Sequence, residues 1–169
     1  SRVSEALRHR GPDDEGIFID KEDKVYLIHT RLSIIDLSGK AHQPMLDSKG
    51  RYAIIYNGEI YNYRDIQKEL EDKGYKFFSS SDTEVVLKAY EEWGESSLKK
   101  LRGMFAFCIW DRDKKRLFLA RDRFGIKPLY YYLDKKVFVF ASEIKTILAS
   151  GLVRTGLDFE AAGLFLSLG

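Results

Sequence analysis

Four short segments hold residue types that local folding alone does not demand. Residues 8–13 read RHRGPD, a Gly-Pro turn flanked by Arg8, His9, Arg10 and Asp13. Taken alone, that is a solvated turn with an ion pair. Residues 29–36 read HTRLSIID, with Arg31 between a strand pattern and the apolar Leu32, Ile34 and Ile35. An arginine there is often a surface residue, yet its planar guanidinium is well suited to gripping a carboxylate. Residues 56–62 read YNGEIYN. Asn-Gly after a strand is a strong hairpin signal, so a type I′ turn is the plain reading of Asn57 and Gly58. The stretch that follows turns helical, however, and not into a returning strand. An Asn amide and a neighbouring N–H can instead converge on one point, as an oxyanion hole requires. Residues 79–86 read SSSDTEVV. Asp82, or a serine before it, suits a helix N-cap, and Glu84 falls in the acid-favouring first turn. Capping alone accounts for Asp82.

The single cysteine is the obvious nucleophile to weigh. A reactive cysteine needs a nearby base or a positive environment. Cys108 lies mid-strand between Phe107 and Ile109, with no charged neighbour in sequence, so it reads as a small buried hydrophobe. One cysteine excludes an internal disulfide framework and fits a reducing, cytoplasmic location. His9, His29 and His42 are too scattered to form a short-spaced zinc set with it, and no structural metal is expected.

The elements that must position these segments are mostly strands. Residues 16–20 and 25–30 read as strands joined by a polar turn, and 52–56 as a strand ended by Asn57-Gly58. Residues 63–73 form a helical pattern, with Ile66 and Leu70 on one face and Gly74 as a stop. A second helix spans 83–93, closed by Gly94, with Val86, Tyr90 and Trp93 on one face. A short helical piece covers 97–101. Strands at 104–110, 116–121, 129–133 and 137–141 are separated by DRDKK, RFGIKP and DKK. Turns this short force antiparallel pairing. A helix follows at 143–149. Residues 4–8 read as the last turns of a helix, and 159–169 has helical apolar character. Two groups of antiparallel strands with helices outside predict a layered α+β fold.

Composition sets the outer limits. Lys and Arg number 28 against 26 Asp and Glu, a net charge of +2. That lacks the basic excess of a nucleic-acid binder. The longest apolar run, 104–110, is far short of the about 20 residues of a membrane span, and the opening SRVSEALRHR has no apolar signal region. Eleven Phe, ten Tyr and two Trp in 169 residues supply bulk for one substantial core.

The segments RHRGPDDEG, HTRLSIIDLSGKAHQPM, YNGEIYNYRDIQKEL, SDTEVVLKAYEEWG, LRGMFAFCIWD, LARDRFGIKPLYY and FASEIKTIL follow one another in this order. The series resembles the glutaminase domain of glutamine-hydrolysing asparagine synthetases, which are class II glutamine amidotransferases of the N-terminal-nucleophile hydrolase type. The resemblance implies a four-layer αββα sandwich of two antiparallel sheets, truncated at the N-terminus. It covers residues 1–151; residues 152–169 lead toward a synthetase domain absent from the sequence. The implied reaction hydrolyses glutamine to glutamate and ammonia, for ATP-dependent amidation of aspartate to asparagine. In the family the nucleophile is an N-terminal cysteine, with its own α-amine as base. Matched position by position, Arg31 would hold the α-carboxylate of glutamine, beside Leu32 and Ile34. The Asn57 side chain and the Gly58 N–H would form the oxyanion hole, and Glu59 and Asp82 would face the α-ammonium group.

The sequence departs from the family pattern in lacking the cysteine ahead of Ser1, so the chain alone is expected to be inactive. No cofactor is implied for this domain; ATP and Mg belong to the synthetase domain. Glutamine and that domain are the implied partners, a homodimer is compatible, and neither nucleic acid nor membrane is expected. Two alternatives stay open: a related class II amidotransferase serving an amino-sugar, purine or cell-surface-polymer acceptor, and a non-catalytic glutamine-binding remnant.

Overall fold

A computed structural model describes residues 2–31, 41–156 and 158–168. Leu32 and Ile34 lie outside them. The elements in chain order are α1 (Arg2–Leu7), β1 (Asp14–Asp20), β2 (Val25–Arg31), β3 (Met45–Leu46), β4 (Tyr52–Ile60), α2 (Tyr63–Asp72), α3 (Asp82–Trp93), β5 (Gly103–Asp111), β6 (Arg116–Arg121), β7 (Tyr130–Leu133), β8 (Phe138–Ala141), α4 (Ile144–Ala149) and α5 (Phe159–Leu168). Short 3-10 turns follow α1 at Arg8–Arg10 and α3 at Gly94–Lys99.

The central sheet has the order β3-β4-β5-β6, entirely antiparallel, and β1-β2 and β7-β8 form two separate antiparallel hairpins. Strand alternation divides β4 between two faces. Tyr52, Ile54, Tyr56 and Ile60 pack with α2 residues Ile66 and Leu70 and α3 residues Val85, Val86 and Tyr90. Ala53 packs on the other face with Cys108, Trp110, Leu27 of β2 and Phe140 of β8. The hairpins therefore cover the face of the central sheet opposite α2 and α3. Helix α1 contacts β2 and α4, and α4 contacts β7 and β8, which places both outside the hairpins. Four layers result, αββα, with the second β layer made of the two hairpins.

One strand outruns its sequence-based bound. β4 does not end at Asn57-Gly58 but continues to Ile60, paired with β5 residue for residue from Tyr52↔Asp111 to Ile60↔Gly103. The long, apolar β5 supplies partners across the whole dipeptide, so pairing overrides the turn propensity. Gly58 also permits close approach, since a Cβ there would collide with the Met104 carbonyl and the Phe105 backbone. The N-cap of α3 is Ser81, whose hydroxyl accepts from the Glu84 N–H at 3.3 Å. Gly94, at φ +56°, closes that helix with its N–H on the Tyr90 carbonyl. Helix α5 is amply apolar, with Phe165, Leu166 and Leu168 exposed.

Candidate active site

Between the two hairpins lies a cavity of about 830 Å³, floored by β4 and β5. Residues 24–31 of the β2 side and 136–142 of the β8 side line it without interruption. Consecutive residues alternate faces, so an unbroken run marks the backbone edges of β2 and β8, not one set of side chains. Among the described residues, each of these strands pairs only with its own hairpin partner. The cavity is thus a slot bordered by two open strand edges. Arg31, Asn57, Gly58, Glu59 and Asp82 all reach it.

The edge of β4 away from β5 explains how Asn57 and Gly58 come to face the slot. Tyr52 gives its N–H to Asp47 Oδ1 at 2.6 Å, Ile54 pairs with Met45, and Ile60 gives its N–H to Asp82 Oδ2 at 3.0 Å. Tyr56 is served from both sides: its N–H reaches Gln43 Oε1 at 2.7 Å, and its carbonyl accepts from His29 Nε2 at 3.0 Å. Backbone groups of an antiparallel strand alternate edges, so Gly58 points its N–H the same way. Among the described residues nothing takes up that N–H. The Asn57 side chain emerges on the face toward the hairpins, where Nδ2 donates to Ser142 Oγ at 3.4 Å. Two donors from adjacent residues therefore open on one cavity.

Asp82 is 5% exposed and accepts from the Tyr56 hydroxyl at 2.6 Å as well as from Ile60. Burial raises its pKa, opposed by those bonds and by the first N–H groups of α3. It is at once a helix-start residue, a clamp on β4 and part of the cavity wall. The loop before it is fixed by Glu84, which is fully buried and accepts from the Phe78 and Ser79 N–H groups and the Ser79 hydroxyl at 2.7–3.2 Å.

Arg31 ends β2 opposite Asp14 and is 9% exposed. RHRGPD packs against it: a Cβ on Gly11 would meet the Thr30–Arg31 backbone at 2.5 Å, and Asp13 gives its N–H to the Arg31 carbonyl at 3.1 Å. On its other side this segment grips the SEIK turn. His9 and Arg10 donate to Glu143 Oε1 at 2.9 and 3.1 Å, and Lys145 reaches Oε2 at 3.1 Å. Burial works to raise the Glu143 pKa, but hydrogen bonds from Lys145, His9 and Arg10 outweigh it and hold the carboxyl at about 2. RFGIKP is built on Asp122, whose carboxylate accepts N–H bonds from Phe105, Phe124, Ile126 and Lys127 at 2.9–3.2 Å.

Two cavity residues, Gln43 and Ser142, carry no signal in the sequence, and His29 is weighed there only as a metal ligand. Gln43 bridges the Tyr56 N–H and Thr83 Oγ1, Ser142 meets Asn57, and His29 caps the Tyr56 carbonyl. All three join elements far apart in the chain, so no local spacing signals them. Cys108 is fully buried, and burial pushes its thiol far above the ordinary range; it has no nucleophilic character. Among the described residues no group of His, Cys, Asp and Glu is arranged to hold a metal ion. The chemistry on offer is recognition of a carboxylate at one end and stabilisation of an oxyanion at the other.

Comparison with known proteins gives the family. The model of the glutamine amidotransferase domain family matches residues 1–169. The chain belongs to that family. Within it, the chain is 43% identical over 170 residues to asparagine synthetase (glutamine-hydrolyzing) 3 of Bacillus subtilis, covering 99% of this chain and 27% of that protein. It is 46% identical over 149 residues to asparagine synthetase 1 of the same organism, covering 88% and 23%. The chain spans about a quarter to a third of the curated relatives it matches first. The fold of this amidotransferase domain is shared with the glutamine phosphoribosylpyrophosphate amidotransferase of B. subtilis, at a TM-score of 0.73 and 22% identity, over 89% of this chain and 40% of that one. The likeness is one of fold and agrees with the αββα sandwich. No helix among the described residues is long and apolar enough to cross a membrane.

Proposed function

We propose that this chain is the glutaminase domain of an asparagine synthetase, hydrolysing glutamine to glutamate and ammonia for amidation of aspartate in a cytoplasmic enzyme. The observation that carries the proposal is the slot, where Arg31, Asn57, Gly58, Glu59 and Asp82 meet between two open strand edges. Arg31 holds the α-carboxylate of glutamine, Glu59 and Asp82 draw its α-ammonium group, and Asn57 Nδ2 with the Gly58 N–H receives the carbonyl oxygen as it becomes negative. Leu32 and Ile34 join the carboxylate end by family resemblance. Attack on the amide carbon by a thiolate splits acyl transfer into two easier steps through a thioester. Cys108 is buried in the core; by family resemblance the thiolate belongs to a cysteine ahead of Ser1 in the whole protein. This domain uses no cofactor; ATP and Mg serve the synthetase domain that takes up the ammonia.

The test is ammonia release from glutamine. Residues 1–169 should give no more than a buffer control, and the longer protein beginning at the cysteine should turn over robustly. Equal turnover by both would place the nucleophile within these residues and overturn the assignment.

A further inference from the structure

The Asn57 amide is met by a side chain to which the reaction assigns no task. Its Nδ2 donates to Ser142 Oγ at 3.4 Å, across 85 residues of chain, and both residues are half-buried on the wall of the slot. The alternation of β8 brings Ser142 there. Phe140 packs on the central sheet with Ala53 and Cys108, so Ser142, two residues further on, faces the same way. Glu143 is extended, at φ −142° and ψ 141°, and does not line the slot. Its carboxylate instead takes His9 and Arg10 on Oε1 at 2.9 and 3.1 Å, and Lys145 on Oε2 at 3.1 Å. Its carbonyl accepts from the Thr146 and Ile147 N–H groups at 3.1 and 3.4 Å, which opens α4. A single exposed ion pair contributes little, but here three cations converge on one carboxylate, two of them from the segment before β1. Ser142 therefore sits between two anchors, the β7-β8 ladder that ends at Tyr130↔Ala141 and the fastened Glu143.

We propose that Ser142, held in place by Glu143, is the positioning residue that sets the Asn57 amide for the oxyanion. This rests on the oxyanion role given to Asn57 above. The terminal torsion of an Asn side chain is broad and soft, so an amide with no partner must be ordered at each turnover. Its NH2 group carries two hydrogens. One goes to Ser142, which fixes the plane of the amide and leaves the other for the substrate oxygen. Stabilisation of a developing charge depends on donors that are already in place, and a small displacement of a catalytic group is costly. At 3.4 Å the bond is long, and catalytic hydrogen bonds of this length tighten as the substrate complex forms. Glu143 acts one step further back, through Ser142, because its own side chain is occupied by His9, Arg10 and Lys145.

The test is a glutamine titration of the longer protein that begins at the cysteine. Ser142→Ala removes the acceptor and should lower kcat about tenfold, less than loss of the donor itself in Asn57→Ala, with KM within about twofold of the unmodified value. Ser142→Thr restores an acceptor hydroxyl and should recover most of kcat. Glu143→Gln should lower kcat in the same direction and to a smaller extent. Combined with Ser142→Ala it should add nothing, because residues of one network do not act additively. An unchanged kcat in Ser142→Ala, a loss confined to KM, or losses that multiply in the double variant overturns the positioning role. Nuclear relaxation of residues 1–169 gives a readout that needs no variant. The Asn57 NH2 group should be ordered, with an order parameter above about 0.6, and a smaller value overturns the proposal. Asn57→Ala judges the oxyanion reading separately. A normal kcat there refutes both readings, whereas a low kcat there beside a normal kcat in Ser142→Ala refutes the positioning role alone.

Discussion

Arg31 and Asn57 reach the cavity from different strands and act at different moments. In the proposed reaction Arg31 grips a carboxylate that does not react, so much of its effect should fall on binding. Arg31→Ala in the longer protein with its nucleophile should lower kcat/KM at least about tenfold, largely through KM, with Arg31→Lys intermediate because it keeps charge and loses the fork. In the same proposal Asn57 donates to an oxygen that is charged only in the transition state, so Asn57→Ala should act mainly on kcat. A glutamine titration of both variants separates the two; if Arg31→Ala leaves KM alone and Asn57→Ala leaves kcat alone, the assignment fails. His29 adds a pH signature. Its pKa falls from 6.5 to about 4, through burial first. Between those values the unfolded chain binds a proton and the folded chain does not, so stability declines as pH drops from 6.5 toward 4. At about 1.4 kcal/mol per tenfold change in proton affinity, the loss is on the order of 3 kcal/mol. His29→Gln should flatten this stretch of a urea-melt pH series. Glu143, held at about 2 from 4.5, loses its contribution only at lower pH, as protonation sets in from 4.5 toward 2.

At the scale of elements, β4 and the loop before α3 matter most. Gly58 permits β4 to lie against Met104 and Phe105 of β5. Gly58→Ala must part the two strands just where Asn57 pairs with Ala106. Glutaminase activity should therefore fall in the longer protein, together with a drop in melting temperature; full activity would show that the pairing tolerates the methyl. Glu84 is fully buried and holds Phe78 and Ser79 by charge-assisted bonds. Glu84→Gln trades acceptor oxygens for an NH2 that faces donors. It should cost about 2 kcal/mol in urea unfolding, and loosen the loop that delivers Asp82. An unchanged midpoint would mean the loop is held by the Ser81 cap alone.

At the scale of the molecule, the slot is the dominant feature. Open edges on β2 and β8 expose backbone groups that a further strand would pair. If a nucleophile-bearing strand precedes Ser1 as the proposed function requires, a chain extended to include it should melt well above residues 1–169, and slow amide exchange should appear along β2 and β8. Extension that leaves both unprotected would show that the slot is not a strand site. The same open edges predict concentration-dependent association of residues 1–169, measurable by light scattering; a sharp monomer at high concentration would count against it.

Local chemistry made most of the architecture legible in advance. Short polar separators forced antiparallel pairing, the i, i+4 spacing of Ile66 and Leu70 gave α2, and Asp82 or a serine before it, with Glu84, marked the start of α3. The ordered motifs, Arg31 and the Asn57-Gly58 pair were likewise readable, since each carries its chemistry in its residue types. Pairing decided what propensity could not. Asn-Gly reads as a turn until β5 lies alongside it, and only then do the Asn57 amide and the Gly58 N–H face one cavity. The roles of RHRGPD and SEIK depend on Glu143 meeting His9, more than 130 residues away in sequence, and the setting of His29 depends on the Tyr56 carbonyl that accepts its Nε2–H. Contacts of that range leave no spacing in a sequence, because they arise from sheets stacking face to face; residue types set what each group can donate or accept, and packing alone sets what it meets.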